Sequence, residues 1–128
     1  MTLAFNNIGS LGRLGNQMFE YAALRGIAAR HSYDWCIPPP DRKGIENYSL
    51  HDCFKLSPER REGIMDPCQY VQEQHFHYSH DIFENCPDNV SLHGFFQSWR
   101  YFHNVRDQIR EDYTFHKGME NLSPERFF

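Results

Sequence analysis

The sequence lacks most of the short signatures that announce a chemistry on sight. It contains no Cys-x-x-Cys pair, and Cys36, Cys53, Cys68 and Cys86 are spaced too widely for a zinc knuckle. In a cytosolic protein such cysteines are expected to be free, mostly buried thiols. No Gly-x-Gly-x-x-Gly occurs and no glycine loop ends in Gly-Lys-Ser/Thr, so neither the dinucleotide fingerprint nor a P-loop is present. No apolar run approaches a membrane span, and no basic-then-apolar leader opens the sequence. The chain is therefore expected to be soluble and cytosolic, with peripheral association with a membrane left open. A surplus of basic charge is also missing: the formal net charge is −4 and the basic residues are scattered, which argues against nucleic acid as a partner. Internal repeats and low-complexity linkers are absent. With 128 residues, the whole of 1–128 is expected to form one domain, large enough for a real core.

What is there begins with a glycine-rich turn opening into a helix. Gly9, Gly12 and Gly15 recur every three residues, a spacing that lets the backbone take positive φ and lie close to a ligand. From Gln17 to Arg30 the residues are good helix formers. Met18, Tyr21, Ala22 and Arg25 fall on one face and Phe19, Ala23 and Ile27 on another, so apolar groups ring the surface and the helix is expected to be buried. Asn16 is the candidate N-cap, and Arg30 and His31 sit where the dipole favours positive charge. Upstream, Leu3-Ala4-Phe5 reads as the preceding strand. Strand, turn and buried helix make the first half of a βαβ unit, and this order predicts an α/β fold with a mainly parallel sheet. In such a fold the glycine turn should face the carboxyl ends of the strands, where ligands bind.

The rest of the chain supplies weaker signals. Tyr33–Ile37 is a β-prone run stopped by Pro38-Pro39-Pro40, and 41–49 reads as a loop. Tyr48–Phe54 suggests a short helical turn, and Ser57-Pro58-Glu59-Arg60 a helix start capped by Ser57. Cys68–Phe76 alternates as a strand, Ser79–Phe83 gives another helical turn, and Val90–Phe96 is the clearest late strand. From Gln97 onward the pattern turns helical, with Trp99, Phe102, Val105 and Ile109 on one face. Tyr113-Thr114-Phe115 closes the unit, and Ser123-Pro124-Glu125 would open a further helix. His75, His77 and His80 with Asp81 invite a metal reading, but nothing completes a known ligand spacing, and no metal is expected. No pair of carboxylates stands out as an acid/base couple.

Two strings carry a family resemblance. Gly12-Arg13-Leu14-Gly15-Asn16-Gln17-Met18-Phe19-Glu20-Tyr21-Ala22 resembles the N-terminal signature of the α-1,2-fucosyltransferases, glycosyltransferase family 11. That signature usually reads Gly-Gly-Leu-Gly-Asn-Gln-Met-Phe-Gln-Tyr-Ala, so Arg13 and Glu20 depart from it. Leu92-His93-Gly94-Phe95-Phe96-Gln97-Ser98-Trp99-Arg100-Tyr101-Phe102 is similar to the family's Gly-Tyr-Phe-Gln-Ser-x-x-Tyr-Phe segment. The two blocks stand in the family's order and frame most of the chain.

The resemblance implies an enzyme with two Rossmann-like domains facing a cleft, the GT-B arrangement. Such an enzyme transfers fucose from GDP-fucose to the 2-hydroxyl of a terminal galactose, with inversion. Its partners are that sugar nucleotide and a galactose-terminated glycan; no cofactor and no metal are expected, in keeping with the absence of Asp-x-Asp. Gly12, Arg13, Leu14, Gly15, Asn16, Gln17, Gln97 and Ser98 become the candidate substrate-binding residues, with Asn16 and Gln17 on sugar hydroxyls and Arg13 nearest a phosphate. The family's His-x-Arg-Arg-Gly-Asp segment, whose arginine is assigned to the diphosphate, is not in the sequence, and Arg13, Arg25 and Arg100 are the available substitutes. The chain is thus expected to represent an N-terminal half: a fragment, a truncated reading frame or a degraded gene product, inactive alone and prone to associate through an exposed half-interface. A non-catalytic carbohydrate-binding remnant, or an unrelated small α/β domain with a purely structural glycine turn, stand as the other readings.

Overall fold

A computed structural model describes residues 1–40, 48–66 and 68–116. Five strands form one sheet, β1 (Thr2–Ala4), β2 (Asp34–Ile37), β3 (Arg61–Glu62), β4 (Gln69–Gln72) and β5 (Val90–His93), in the order β3-β2-β1-β5-β4. Every pairing is parallel, and β1 lies at the centre, with Leu3 opposite Trp35 on one side and Val90 on the other. A central parallel strand is covered on both faces, and Leu3, Ala4 and Phe5 accordingly have no exposed surface. The edge strands are short and polar: β3 is Arg-Glu, and β4 leaves Gln69, Tyr70 and Gln72 in solvent. The expectation of an α/β fold built on a parallel sheet is met.

Helix α1 (Leu14–His31) packs on this sheet and is buried over most of its surface, as the ring of apolar residues predicts. It ends at Ser32, a left-handed residue (φ 58°) whose N–H returns to the last turn. At its start the sequence reading needs correction. The N-cap is Arg13, in extended backbone with no side-chain cap bond, and Asn16 lies inside the first turn with its side chain turned to another partner. Gly15 is likewise helical; only Gly9 (φ 93°) and Gly12 (φ 90°) of the three use the left-handed region.

The smaller helices are α2 (Leu50–Cys53), α3 (His80–Asn85, capped by Ser79) and α4 (Arg106–Asp112). Ser57 starts no helix. Its hydroxyl accepts from the Glu59 N–H at 3.1 Å and its carbonyl accepts from the Arg60 N–H at 3.3 Å, a single turn that feeds directly into β3. The expected strand Val90–Phe96 stops at His93 because Gly94 (φ 146°) and Phe96 (φ 51°) bend the chain away. Beyond it, two 3₁₀ turns (Trp99–Tyr101 and His103–Val105) precede α4 where one continuous helix was expected. The reason is contact with α1. A Cβ on Gly26 would fall 1.9 Å from the Tyr101 carbonyl oxygen, so the chain lies against bare helix backbone there and follows it in tight turns. The changed period leaves Trp99 58% exposed, while Val105 and Ile109 remain in the core. Phe115 closes the unit through one antiparallel bridge to Phe54. Most of the expected loop 41–49 and all of the expected helix at Ser123-Pro124-Glu125 lie outside the described residues.

One buried polar knot holds α1 to the end of α4. The Tyr21 hydroxyl donates to Asp112 at 2.8 Å and accepts from the Ser57 N–H at 3.1 Å, while the Arg25 guanidinium pairs with the same carboxylate. The four cysteines are free thiols, and burial pushes the Cys86 thiol up to about 11.

Candidate functional site

Because β1 and β5 run parallel and side by side, the segments that follow them emerge at the same, carboxyl end of the sheet. One is the glycine turn leading from Phe5 to α1; the other is Gly94–Ser98. The two blocks singled out in the sequence therefore meet in space. The Gln97 side-chain amide donates to Asn16 Oδ1, a hydrogen bond across 81 positions of chain.

The turn itself is built by backbone constraints. The Ile8 N–H donates to Phe5 O at 3.2 Å and the Ser10 N–H to Asn7 O at 3.0 Å. At Gly12 any Cβ would fall 2.2 Å from Asn16 Nδ2, so this position requires glycine for space as well as for φ. Arg13 is exposed, and Leu14, Gly15, Asn16 and Ser98 are half-buried. Gln97 is exposed, and Ser98 Oγ accepts from the Arg100 N–H at 3.3 Å.

Gln17 is different. It has no exposed surface; its amide donates to Gly12 O at 3.2 Å and accepts from the Ser49 N–H at 3.0 Å. It ties the glycine turn to the start of α2, a positioning contact.

Among the substitute cations, Arg25 is committed to Asp112 and stacks over Trp35, its guanidinium carbon 5.7 Å from the ring centre. Arg100 lies over two rings, 5.7 Å from Tyr78 and 5.8 Å from Trp99. Arg13 is the exposed cation at the turn.

Next to the turn is a cleft of about 250 Å³, lined by Leu11, the segment Gln72–Phe76 and the segment His93–Phe95. Its frame is Glu73, whose carboxylate accepts from the backbone N–H groups of Phe95 (3.1 Å) and Phe96 (3.2 Å). Gly94 makes this approach feasible, since a Cβ there would meet Glu73 Cβ at 2.5 Å. His93 is held through Nδ1, 3.1 Å from Asn7 Nδ2. Asn6 anchors the crossover between β3 and β4, accepting from the Met65 N–H at 2.9 Å and donating to Met65 O at 2.7 Å. His75 and His77 face one another with ring centres 5.3 Å apart, and no group of three or more metal-ligating side chains forms among the described residues.

Below the turn, on α1, Glu20 is completely buried, and neither carboxyl oxygen has a hydrogen-bond partner among the described residues. Burial, together with the nearby Glu73 carboxylate, pushes its pKa up to about 10, so it is a neutral acid at pH 7. Reading the sequence for sites passed over Glu73 and Asn7. Glu20 carried a signal, as one of the two departures from the family string.

The amino-acid sequence is similar to several galactoside fucosyltransferases. Galactoside alpha-(1,2)-fucosyltransferase 2 of Bos taurus is 30% identical over 116 residues, covering 85% of this chain and 31% of that protein. Galactoside alpha-(1,2)-fucosyltransferase 1 of Bos taurus is 32% identical over 108 residues, with 84% of this chain and 29% of that protein covered. The corresponding Mus musculus protein is 29% identical over 113 residues, with 84% and 28% covered. The chain thus spans less than a third of the length of these relatives. No family model and no solved structure matches it. The resemblance carried by Gly12–Ala22 and Leu92–Phe102 therefore extends across most of the chain, which is related to the galactoside α-1,2-fucosyltransferases and aligns with a part of each.

Proposed function

We propose that these residues form one wall of a fucosyltransferase active site. The protein they belong to would transfer fucose from GDP-fucose to the 2-hydroxyl of a terminal galactose, with inversion and without a metal. The observation that carries this reading is the Asn16–Gln97 hydrogen bond, which joins the two resemblance blocks at the carboxyl end of the sheet. Gly9 and Gly12 let the turn take its left-handed bends and bring Asn16 to the surface beside Gln97, and Asn16, Gln97 and Ser98 offer neutral donors and acceptors suited to sugar hydroxyls. Arg13 offers the charge for a phosphate. Gln17, buried and doubly bonded, acts by holding the turn in register.

Inverting transfer needs the acceptor hydroxyl in line with the bond to GDP and a cation to meet the charge leaving with the diphosphate. In this reading the second wall of a two-domain GT-B cleft supplies that cation, on the arginine of a His-x-Arg-Arg-Gly-Asp segment. Positioning two substrates is worth ~7–11 kcal/mol of barrier and one preorganised charge donor ~3–4 kcal/mol. A polypeptide of these 128 residues alone is therefore expected to show no measurable transfer. The test is a radiolabelled GDP-fucose assay with a lactose-type acceptor, on the 128-residue polypeptide and on one extended to the length of the relatives. Transfer is expected only from the longer protein, and Asn16→Ala or Arg13→Ala should lower it by at least about tenfold. Turnover by the 128-residue polypeptide, lost on Asn16→Ala, would overturn the two-wall account. Galactoside binding with no transfer by either would favour a non-catalytic carbohydrate-binding protein.

A further inference from the structure

We propose that Glu73 is a positioning residue of the transfer site: its carboxylate holds Phe96 in left-handed backbone, and that bend aims Gln97 at Asn16. The proposal rests on the fucosyl-transfer reading and adds to it the group that sets the geometry of the second block.

The turn after β5 is held against its own preference. Among the described residues, two bulky ones, Leu56 and Phe96, have positive φ, and Phe96 (φ 51°) stands directly before Gln97. A residue of this size in the left-handed region is an outlier that persists only where its surroundings over-determine it, and such outliers cluster at sites that handle ligands. Three sets of contacts do so here. The Phe96 ring has no exposed surface and meets Phe5 and Tyr101 edge-on, with ring centres 5.7 and 5.1 Å away. Its carbonyl accepts from the Ser98 N–H at 2.9 Å. Its N–H donates to Glu73, 3.3 Å from Oε1 and 3.2 Å from Oε2, and the Phe95 N–H donates to the same Oε1 at 3.1 Å.

The carboxylate is the contact that fixes the sense of the bend. Packing on Phe5 and Tyr101 places the ring, whereas two successive N–H groups converge on one oxygen only while Phe95 and Phe96 turn together. Glu73 makes this contact from a fixed base, since its own N–H donates to His93 O at 2.9 Å and extends the β4–β5 pairing by one residue. Gly94 lets the turn pass close, because any Cβ there would meet Glu73 Cβ at 2.5 Å. A charged acceptor shared by two backbone donors is stronger than a neutral one, and removing it leaves both donors of a strained turn unpaired. With the bend relaxed, Gln97 no longer leaves the turn toward α1, and its bond to Asn16 is lost. Glu73 thus acts through Gln97. It does for the second block what the buried, doubly bonded Gln17 does for the first.

The experiment pairs nitrogen-15 NMR of the 128-residue chain with transfer kinetics of a protein extended to the length of the relatives. In Glu73→Ala the Phe95 and Phe96 amide protons should move upfield, and the side-chain amide signals of Asn16 and Gln97 should shift together toward unbonded positions. In the longer protein the same variant should lower kcat by about a hundredfold, with the KM for GDP-fucose little changed. Glu73→Gln, whose amide oxygen can take the place of Oε1, should keep the Asn16 and Gln97 signals and most of the activity. Gly94→Ala pushes on Glu73 from the other side and should reproduce both losses. Unmoved Asn16 and Gln97 signals in Glu73→Ala would overturn the proposal. So would a glutamine variant as slow as the alanine one, because the charge itself would then act in the reaction. Full transfer by Glu73→Ala refutes the positioning role alone. A longer protein without transfer, in which Glu73→Ala still frees Gln97 from Asn16, refutes the enzymatic reading and leaves the clamp standing.

Discussion

Replacing Glu20 by glutamine should make the protein more stable, and increasingly so as the pH rises. In the folded chain the carboxyl has no exposed surface and no hydrogen-bond partner among the described residues, and its pKa is raised from 4.5 to about 10. The sign follows from linkage. Below pH 4.5 the group is neutral in both states and adds no pH dependence. Between 4.5 and about 10 the unfolded chain is ionised while the folded chain holds the proton, so stability falls as the pH rises through this window. Each pH unit costs ~1.36 kcal/mol, so at pH 7.5 folding carries a penalty of about 4 kcal/mol from this one group, and at pH 5.5 of about 1.4 kcal/mol. Glutamine has nearly the same shape and no charge in either state. It leaves polar atoms unpaired much as the neutral acid does, so the hydrogen-bond cost largely cancels between the two. Urea unfolding at both pH values, for the natural chain and Glu20→Gln, measures the difference. The variant should gain about 4 kcal/mol at the higher pH and clearly less at the lower. A variant that is less stable at pH 7.5, with the pH slope unchanged, would mean that Glu20 is ionised and partnered in the folded chain, and the reasoning would fail.

Gly26→Ala pits propensity against contact: alanine favours a helix over glycine by ~1 kcal/mol, but its Cβ would lie 1.9 Å from the Tyr101 carbonyl oxygen. The carbonyl belongs to backbone and must be displaced, so the variant should lose about 2 kcal/mol in thermal or urea unfolding; a gain in stability would disprove the close approach. His51 predicts the opposite pH trend from Glu20. Its imidazole is buried against Tyr48 and the Pro38 carbonyl, and burial holds its pKa below the usual 6.5. Its contribution is fully present above pH 6.5 and is lost as the pH falls toward the lowered folded-state value, so His51→Gln should flatten the acid side of the stability profile, and an unchanged acid limb would refute this.

The parts of the fold legible in the sequence are those fixed by local chemistry. An apolar run before glycines and a helix ringed with apolar residues leave few alternatives, and β1, the glycine turn and α1 lie where the residues put them. The Pro38–Pro40 stop likewise bounds β2. What was not legible depends on contacts made at a distance. Residues from Gln97 onward have a helical period, yet they wind in 3₁₀ turns because Gly26, more than seventy positions earlier, leaves no side chain between α1 and the Tyr101 backbone. Asn16 looks like a helix cap by its type and position, and loses that role to a partner, Gln97, that only the fold brings within reach.

The candidate site divides along the same line. Its glycines and amides were readable because two short blocks resemble a family, and the resemblance also set apart Glu20, where the family string has a glutamine. No pattern could mark Glu73 in advance. A carboxylate whose work is to accept from the Phe95 and Phe96 N–H groups has no fixed spacing to its partners, and it is visible only once β4 and β5 lie side by side. Yet Glu73 also bears on the state of Glu20, second to burial. Burial is the larger cause that keeps the Glu20 carboxyl protonated, and the nearby Glu73 carboxylate adds to it. The glutamine of the family string would relieve that conflict at no cost in shape. Glu20 is therefore a buried carboxyl that works against the core around it, and the substitution that tests it replaces the carboxyl OH by NH2.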